Sequence, residues 1–165
     1  MDFSCRVNQL LHEEHMSTIE MLNGLESVLA SAGRGAPDVN TQPTRNALQT
    51  AISLINREVG SHFSFEEEEL FPRLAEYGDA EIGEHLTQEH RAILPNAQTV
   101  SKLAEDALTT GFNDDTWKKF RGEAGELIER MLSHIQKEEM ALLPVLEDVL
   151  DAEADFALSE AHANQ

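Results

Sequence analysis

Four histidines and two glutamates at helical spacing are the side chains of this chain best suited to chemistry. His62 and Glu66 stand one helical turn apart in HFSFEEEELFPRL, and His134 and Glu138 stand one turn apart in HIQKEEMALLPVL. Laid over each other so that His62 falls on His134, the two stretches share His, two consecutive Glu, Leu, Pro and Leu. The overlay runs backwards through Leu48, Ile52, Ile55 and Val59, which fall on Phe120, Ala124, Leu127 and Met131. Residues i, i+3, i+4 and i+7 share one face of a helix. Each copy therefore places a His and a Glu on the face it buries, where unpaired polar groups are expensive. A second repeat lays Leu11, Glu14, His15, Ile19 and Leu25 on Leu86, Glu89, His90, Leu94 and Val100. Each half of the chain then supplies a His from its first helix, and a His and a Glu from its second. The six candidate ligands are His15, His62, Glu66, His90, His134 and Glu138, and a pair of metal ions is the partner that would satisfy them. Imidazole and carboxylate without thiolate suit iron, manganese or zinc better than copper(I) or an iron–sulfur cluster.

Four helices are needed to hold these residues. The first is expected from about Asp2, as N-cap, to Ala32, with Leu11, His15, Leu22, Leu25 and Leu29 on one side and Gly33 and Gly35 beyond its end. After the turn-rich GRGAPDVNTQ, the second begins near Pro43 and Thr44, where proline is tolerated in a first turn, and reaches Tyr77 before Gly78. The third opens on Asp79 and runs to about Thr110, and the fourth runs from Asn113 or Asp114 to about Leu150. No period-two apolar alternation is sustained, so the fold class is all-α. Short connections between long helices favour an antiparallel, up-down-up-down four-helix bundle, and the repeated helix pair gives it an internal two-fold pseudo-repeat. The bundle is expected over residues 1–150, with 151–165 as a C-terminal tail or a short extra helix.

The chain has 165 residues, enough for one domain with a real core. Its 12 basic and 31 acidic residues give a net charge of −19, which argues against nucleic acid and anionic membrane as partners. The one cysteine, Cys5, excludes an intrachain disulfide and suits a reducing compartment. With neither a basic, apolar leader nor a membrane-length apolar run, the expected location is cytoplasmic.

The pattern His15 … His62-F-S-F-Glu66 … His90 … His134-I-Q-K-Glu138, with an acidic residue before each of His15 and His90, resembles the hemerythrin-like (HHE cation-binding) family over about residues 8 to 146. The resemblance implies two iron ions in a non-heme di-iron centre with an oxo or hydroxo bridge. Glu66 and Glu138 would bridge the metals and the four histidines would be terminal. Zinc or manganese could occupy the same cage. Oxygen-carrying hemerythrins add a fifth histidine four residues before the third-helix one and use Asp five residues past the last His. Here Leu86 takes the first of those places, and Glu138 lies four residues past His134. The four-histidine, two-glutamate version is similar to domains linked to nitric oxide stress and iron–sulfur repair, peroxide handling or iron sensing. The repair-linked ones carry a cysteine-bearing N-terminal domain that these residues do not include. On that pattern each iron has five ligands and one exchangeable position, which fits redox chemistry on a small molecule better than carriage. The bridging carboxylates would hold the metals ~3.5–4 Å apart.

The expected function is binding of, or reaction with, O2, NO or H2O2 in redox and nitrosative stress, with an unknown electron donor. The chain would then be a di-iron oxidoreductase or a protein that only binds. The alternative is a non-catalytic oxygen or iron sensor, store or carrier acting through a partner. No buried nucleophile or general base beyond the ligands supports hydrolysis. Around the six residues, Glu67 and Glu139 recur in both copies and either hydrogen-bond ligand imidazoles or face water. His12, one turn before His15, is either an extra ligand, a proton shuttle or an edge residue. His85 and His162 are expected at the surface, and Cys5 inert near a frayed end. Phe63, Phe65 and Phe71 are expected in the core, keeping the pocket apolar. Pro72 and Pro144 are expected to kink the helix ends, and Pro95 to splay the third helix and open a route inward or simply to pack.

Overall fold

The computed structural model describes residues 3–165, the side chain of Glu58 apart, and these residues form five helices joined by short turns with no strand among them. Helix α1 is Arg6–Ala32. Helix α2 is continuous over 42–76, α3 is Ala80–Thr110, α4 is continuous over 114–149, and α5 is Ala152–Ala163. Gly33, Gly78 and Gly111 have φ of 62°, 97° and 76°. Each stands just past the end of a long helix, in the left-handed conformation that a glycine adopts without steric cost. Asp2, the expected first N-cap, lies outside the described residues. The 151–165 segment is a short extra helix, with Asp151 as its N-cap accepting from the Ala154 N–H at 2.8 Å.

Helices α2 and α4 each contain a wider, π-type turn that begins on the repeated glutamate, Glu66–Leu70 and Glu138–Leu142. The repeated prolines supply a reason. Proline has no N–H, and its ring clashes with the carbonyl four residues back. In the widened turn the residue before each proline donates five residues back instead, Phe71 to the Glu66 carbonyl and Leu143 to the Glu138 carbonyl. Both helices then continue, to Glu76 and Val149, so each proline stands in the last turns of its helix, just past the widened turn. A third π-type turn, Ile55–Val59, has no proline near it, and nothing in the structure explains it. Pro95 is exposed and α3 is α-helical on either side of it, which gives no support to a route inward there.

The residues group into two compact units. One takes residues 3–17, Ser61–Arg91 and Ser133–Gln165; the other takes Thr18–Gly60 and Ala92–Leu132. The second unit buries Leu22, Leu25, Leu48, Val100, Phe120 and Leu127, the expected stripes, with Val28 buried in place of the half-exposed Leu29. Phe112, Trp117 and Phe120 pack ring on ring in it, with centroids 5.1 to 5.9 Å apart. The first unit is built on Val7, Leu11, Phe65, Phe71, Leu86, Leu142, Leu146 and Leu158, and it contains all six candidate ligands.

Within the first unit the start of α1 is held from a distance. The first turn of a helix has N–H groups without intrahelical partners, and α1 carries no acidic residue there to accept them. Asp155 of α5 accepts from the Arg6 and Val7 N–H groups at 2.8 and 2.9 Å, and Glu147 of α4 accepts from the Ser4 and Cys5 N–H groups at 2.6 and 3.3 Å. The negative charges also meet the positive end of the helix dipole. Cys5 is therefore buried at a fastened start rather than a frayed one. Its thiol is pushed up to about 11 by burial and by Glu147 and Asp155, which keeps it protonated and unreactive. Replacing the doubly accepting carboxylate, Asp155→Ala, is expected to lower unfolding stability by about 1–2 kcal/mol, read as a lower urea midpoint. A midpoint equal to wild type would mean that the tie carries no energy.

Candidate metal centre

The apolar stripes bring all six sequence-predicted residues to one place. His15, His90, His134, Glu66 and Glu138 are buried, and the His62 side chain is 10% exposed. Two groups form, each able to hold a metal ion: His15, His62, Glu66 and Glu138, and Glu66, His90, His134 and Glu138. Both glutamates belong to both groups. His15 Nε2 lies 2.8 Å from one Glu138 oxygen and His134 Nε2 lies 2.7 Å from the other. His62 and His90 Nε2 each lie 3.2 Å from one of the two Glu66 oxygens.

These distances are short, but the alignment is not that of hydrogen bonds. All four oxygens of Glu66 and Glu138, and His15 Nε2, are buried without a hydrogen-bond partner. The other nitrogen of each ring explains why. His15 Nδ1 meets Glu139 at 2.6 Å, His62 Nδ1 meets Glu14 at 2.6 Å, His90 Nδ1 meets Glu67 at 2.8 Å and His134 Nδ1 meets Glu89 at 2.7 Å. An ionised carboxylate only accepts, so Nδ1 carries the proton and a neutral ring turns an Nε2 lone pair inward. His90 and His134 Nε2 lie 3.1 Å apart. Lone pairs facing each other and facing carboxylate oxygens repel unless a cation lies among them. The donor set thus fits a divalent cation bound by imidazole nitrogen and carboxylate oxygen, with carboxylates behind the imidazoles as such sites ordinarily have.

The outer carboxylates follow a rule of exchange between helices. Glu14, beside His15 on α1, holds His62 of α2; Glu67, beside Glu66 on α2, holds His90 of α3. Glu89, beside His90 on α3, holds His134 of α4; Glu139, beside Glu138 on α4, holds His15 of α1. Of the two readings left open for Glu67 and Glu139, the structure selects hydrogen bonding to the rings. His12 is in neither group; its Nδ1 lies 2.9 Å from Glu139. His85 is exposed, as expected. His162 is not a surface residue: its side chain is 17% exposed and its Nε2 lies 2.8 Å from Glu14. Spacing within one helix carries no trace of that contact, because the two residues are 148 positions apart. Phe63, Phe65 and Phe71 are buried, and Phe63 stacks on His90 with centroids 3.8 Å apart and planes 9° from parallel.

Where protons are the cations available, the carboxylates hold the rings charged. Burial opposes this, but Glu138 and Glu139 push His15 up to about 9, and Glu138 and Glu66 push His90 up to about 9. Glu138, also against burial, is held well below the usual carboxylate range by His134, His15 and His90. A raised histidine contributes stability that is full below its ordinary value of 6.5 and is lost as pH rises through about 9. The melting temperature of chelator-stripped protein is therefore expected to fall across that interval. Metal-loaded protein is expected not to fall, because deprotonated rings bind the cation better. A stripped protein equally stable at both ends of the interval would contradict this electrostatic picture.

Comparison with curated proteins found no match. Comparison with protein families matches residues 6–146 to the hemerythrin HHE cation binding domain, nearly the whole of the described chain. The matched span contains both His/Glu groups and all four outer carboxylates. The protein belongs to the hemerythrin HHE cation-binding family.

Proposed function

We propose that this protein holds two iron ions and binds or reacts with a small diatomic or peroxide ligand, O2, NO or H2O2, in the handling of redox or nitrosative stress. His15 and His62 would hold one metal, His90 and His134 would hold the other, and Glu66 and Glu138 would be shared between them. The observation that carries this reading is the pair of buried glutamates whose four oxygens lack hydrogen bonds while belonging to two ligand groups at once. The helices carrying them are read as an up-down-up-down four-helix bundle, in keeping with the family.

Bound iron would supply one-electron redox chemistry between Fe(II) and Fe(III). The chain's own residues do the rest. The four outer carboxylates fix the rings in the tautomer that presents Nε2 inward. Phe63, flat against His90 and edge-on to His134 at 5.6 Å, keeps water from that pair of rings. Leu86, one turn before His90 and 2% exposed, presents hydrocarbon where the oxygen-carrying hemerythrins have a fifth imidazole. That substitution leaves the ligand set balanced at two histidines per metal, and it favours reaction at the metals over long-lived carriage. An electron donor is required as partner. No helix of the described residues is long and apolar enough to cross a membrane; the single cysteine, with no partner for an intrachain disulfide, is in keeping with the cytoplasm, where we place the protein.

Metal analysis of protein purified in air, with its optical spectrum, tests the assignment. Two irons per chain and the near-ultraviolet absorption of a bridged di-ferric pair are expected, with spectral changes on adding NO or H2O2 to the reduced protein. Zinc alone, or iron unresponsive to every one of the three ligands, would contradict it. Within the same assay, His62→Ala is expected to leave one metal per chain and Glu138→Gln to leave neither. Equal losses in the two variants would argue against bridging.

A further inference from the structure

The four outer carboxylates hold equivalent rings, but what holds the carboxylates differs. Glu67 has no second hydrogen-bond partner among the described residues and its side chain is 37% exposed. Glu89 meets Lys137 and His85, whose side chains are 44% and 61% exposed. Glu139 shares its oxygens with His12, itself about one-third exposed. Glu14 alone is fastened by a largely buried group: one oxygen accepts from His62 Nδ1 at 2.6 Å and the other from His162 Nε2 at 2.8 Å.

His162 belongs to α5, beyond the span that matches the family. Its position is determined by more than this one contact. Leu158, one turn earlier on the same face, is 2% exposed and packs in the core of the unit. The His162 ring stands edge-on to the buried Phe65 at 5.1 Å and 86°. The Gln165 amide lies 3.1 Å from Ser61 Oγ, beside His62. Among the four inward-facing rings, His62 is also the most open, 10% exposed where the others are 1 to 3%. The most exposed of the four rings is the one whose carboxylate has a largely buried second partner.

We propose that His162 is a positioning residue: by clamping Glu14 it fixes the His62 imidazole, so that the C-terminal helix governs retention of the metal held by His15 and His62 and leaves the other metal untouched. This rests on the two-metal reading above. A carboxylate held at both oxygens, as Glu14 is, turns less freely, and the imidazole that it accepts from keeps its plane and its tautomer. Loss of a carboxylate behind a ligand histidine ordinarily costs 10–100-fold in metal affinity. Loosening that carboxylate by one step is expected to cost on the order of tenfold.

The test uses the full chain loaded anaerobically with Fe(II), followed by release to a chromogenic chelator, in wild type, His162→Leu, His162→Gln and, as a control on the exposed face of α5, Phe156→Ala. Wild type is expected to release two equivalents slowly. His162→Leu should release one equivalent on the order of tenfold faster, with the second unchanged. His162→Gln, which can present an N–H at similar reach, should restore the wild-type course, and Phe156→Ala should match it throughout. The equivalent lost early should be the one that His62→Ala lacks. Should leucine at 162 prevent folding, His162→Asn, polar but too short to reach Glu14, makes the same measurement. Equal acceleration of both equivalents, no acceleration, or failure of the Gln variant to restore retention overturns the proposal. If wild type binds no iron, the two-metal reading fails and takes this one with it; if wild type holds two and His162→Leu is indistinguishable, only this inference fails.

Discussion

Everything about this molecule turns on two carboxylates buried among four imidazoles, in the unit built on Leu11, Phe65, Leu86 and Leu142. A buried charge without a partner costs several kcal/mol even after relaxation. Two such charges, with no hydrogen bond to any of their oxygens, could not be kept in a stable core by packing alone. The balance is closed by positive charge, whether as protons on the rings or as cations between them. The outer ring of Glu14, Glu67, Glu89 and Glu139 serves either case: accepting from each Nδ1–H, it stabilises a protonated ring, and it leaves Nε2 as a lone pair for a cation when the ring is neutral. The strongly acidic composition is therefore only in part a matter of solubility.

The backbone supports the same arrangement. Each repeated glutamate opens a widened turn, and each turn precedes a repeated proline. Such insertions are frequent at functional sites. Each begins on the glutamate that ordinary helical spacing has already set one turn past its histidine, and each lets its helix run on past the proline. The fold and the ligand geometry share this irregularity, and it occurs at matching places in the two halves.

Much of this could be read directly from the residues. Gly33, Gly78 and Gly111 mark helix ends because only the left-handed conformation terminates those helices cleanly. The six inner residues stand out because polar groups recur at matched positions on an apolar stripe. What spacing could not supply is contact between helices. Glu67 and Glu139 recur in both copies, but recurrence does not say which ring each one meets. His162 lies in a segment with no repeat and little amphipathic pattern, and its partner is at the other end of the chain. The π-type turns were also hidden, since a proline within a helical pattern reads equally as a kink. The anchoring of Cys5 by Glu147 and Asp155 belongs to the same class: long-range pairing through backbone N–H groups leaves no mark on periodicity.

The most direct test of the central claim is anomalous scattering from a crystal of the iron-loaded protein, collected at the iron edge. The account expects two peaks per chain, one beside His15 and His62 and one beside His90 and His134, with Glu66 and Glu138 reaching both. One peak, peaks away from these residues, or an iron-free centre with the six side chains satisfied by one another would contradict it.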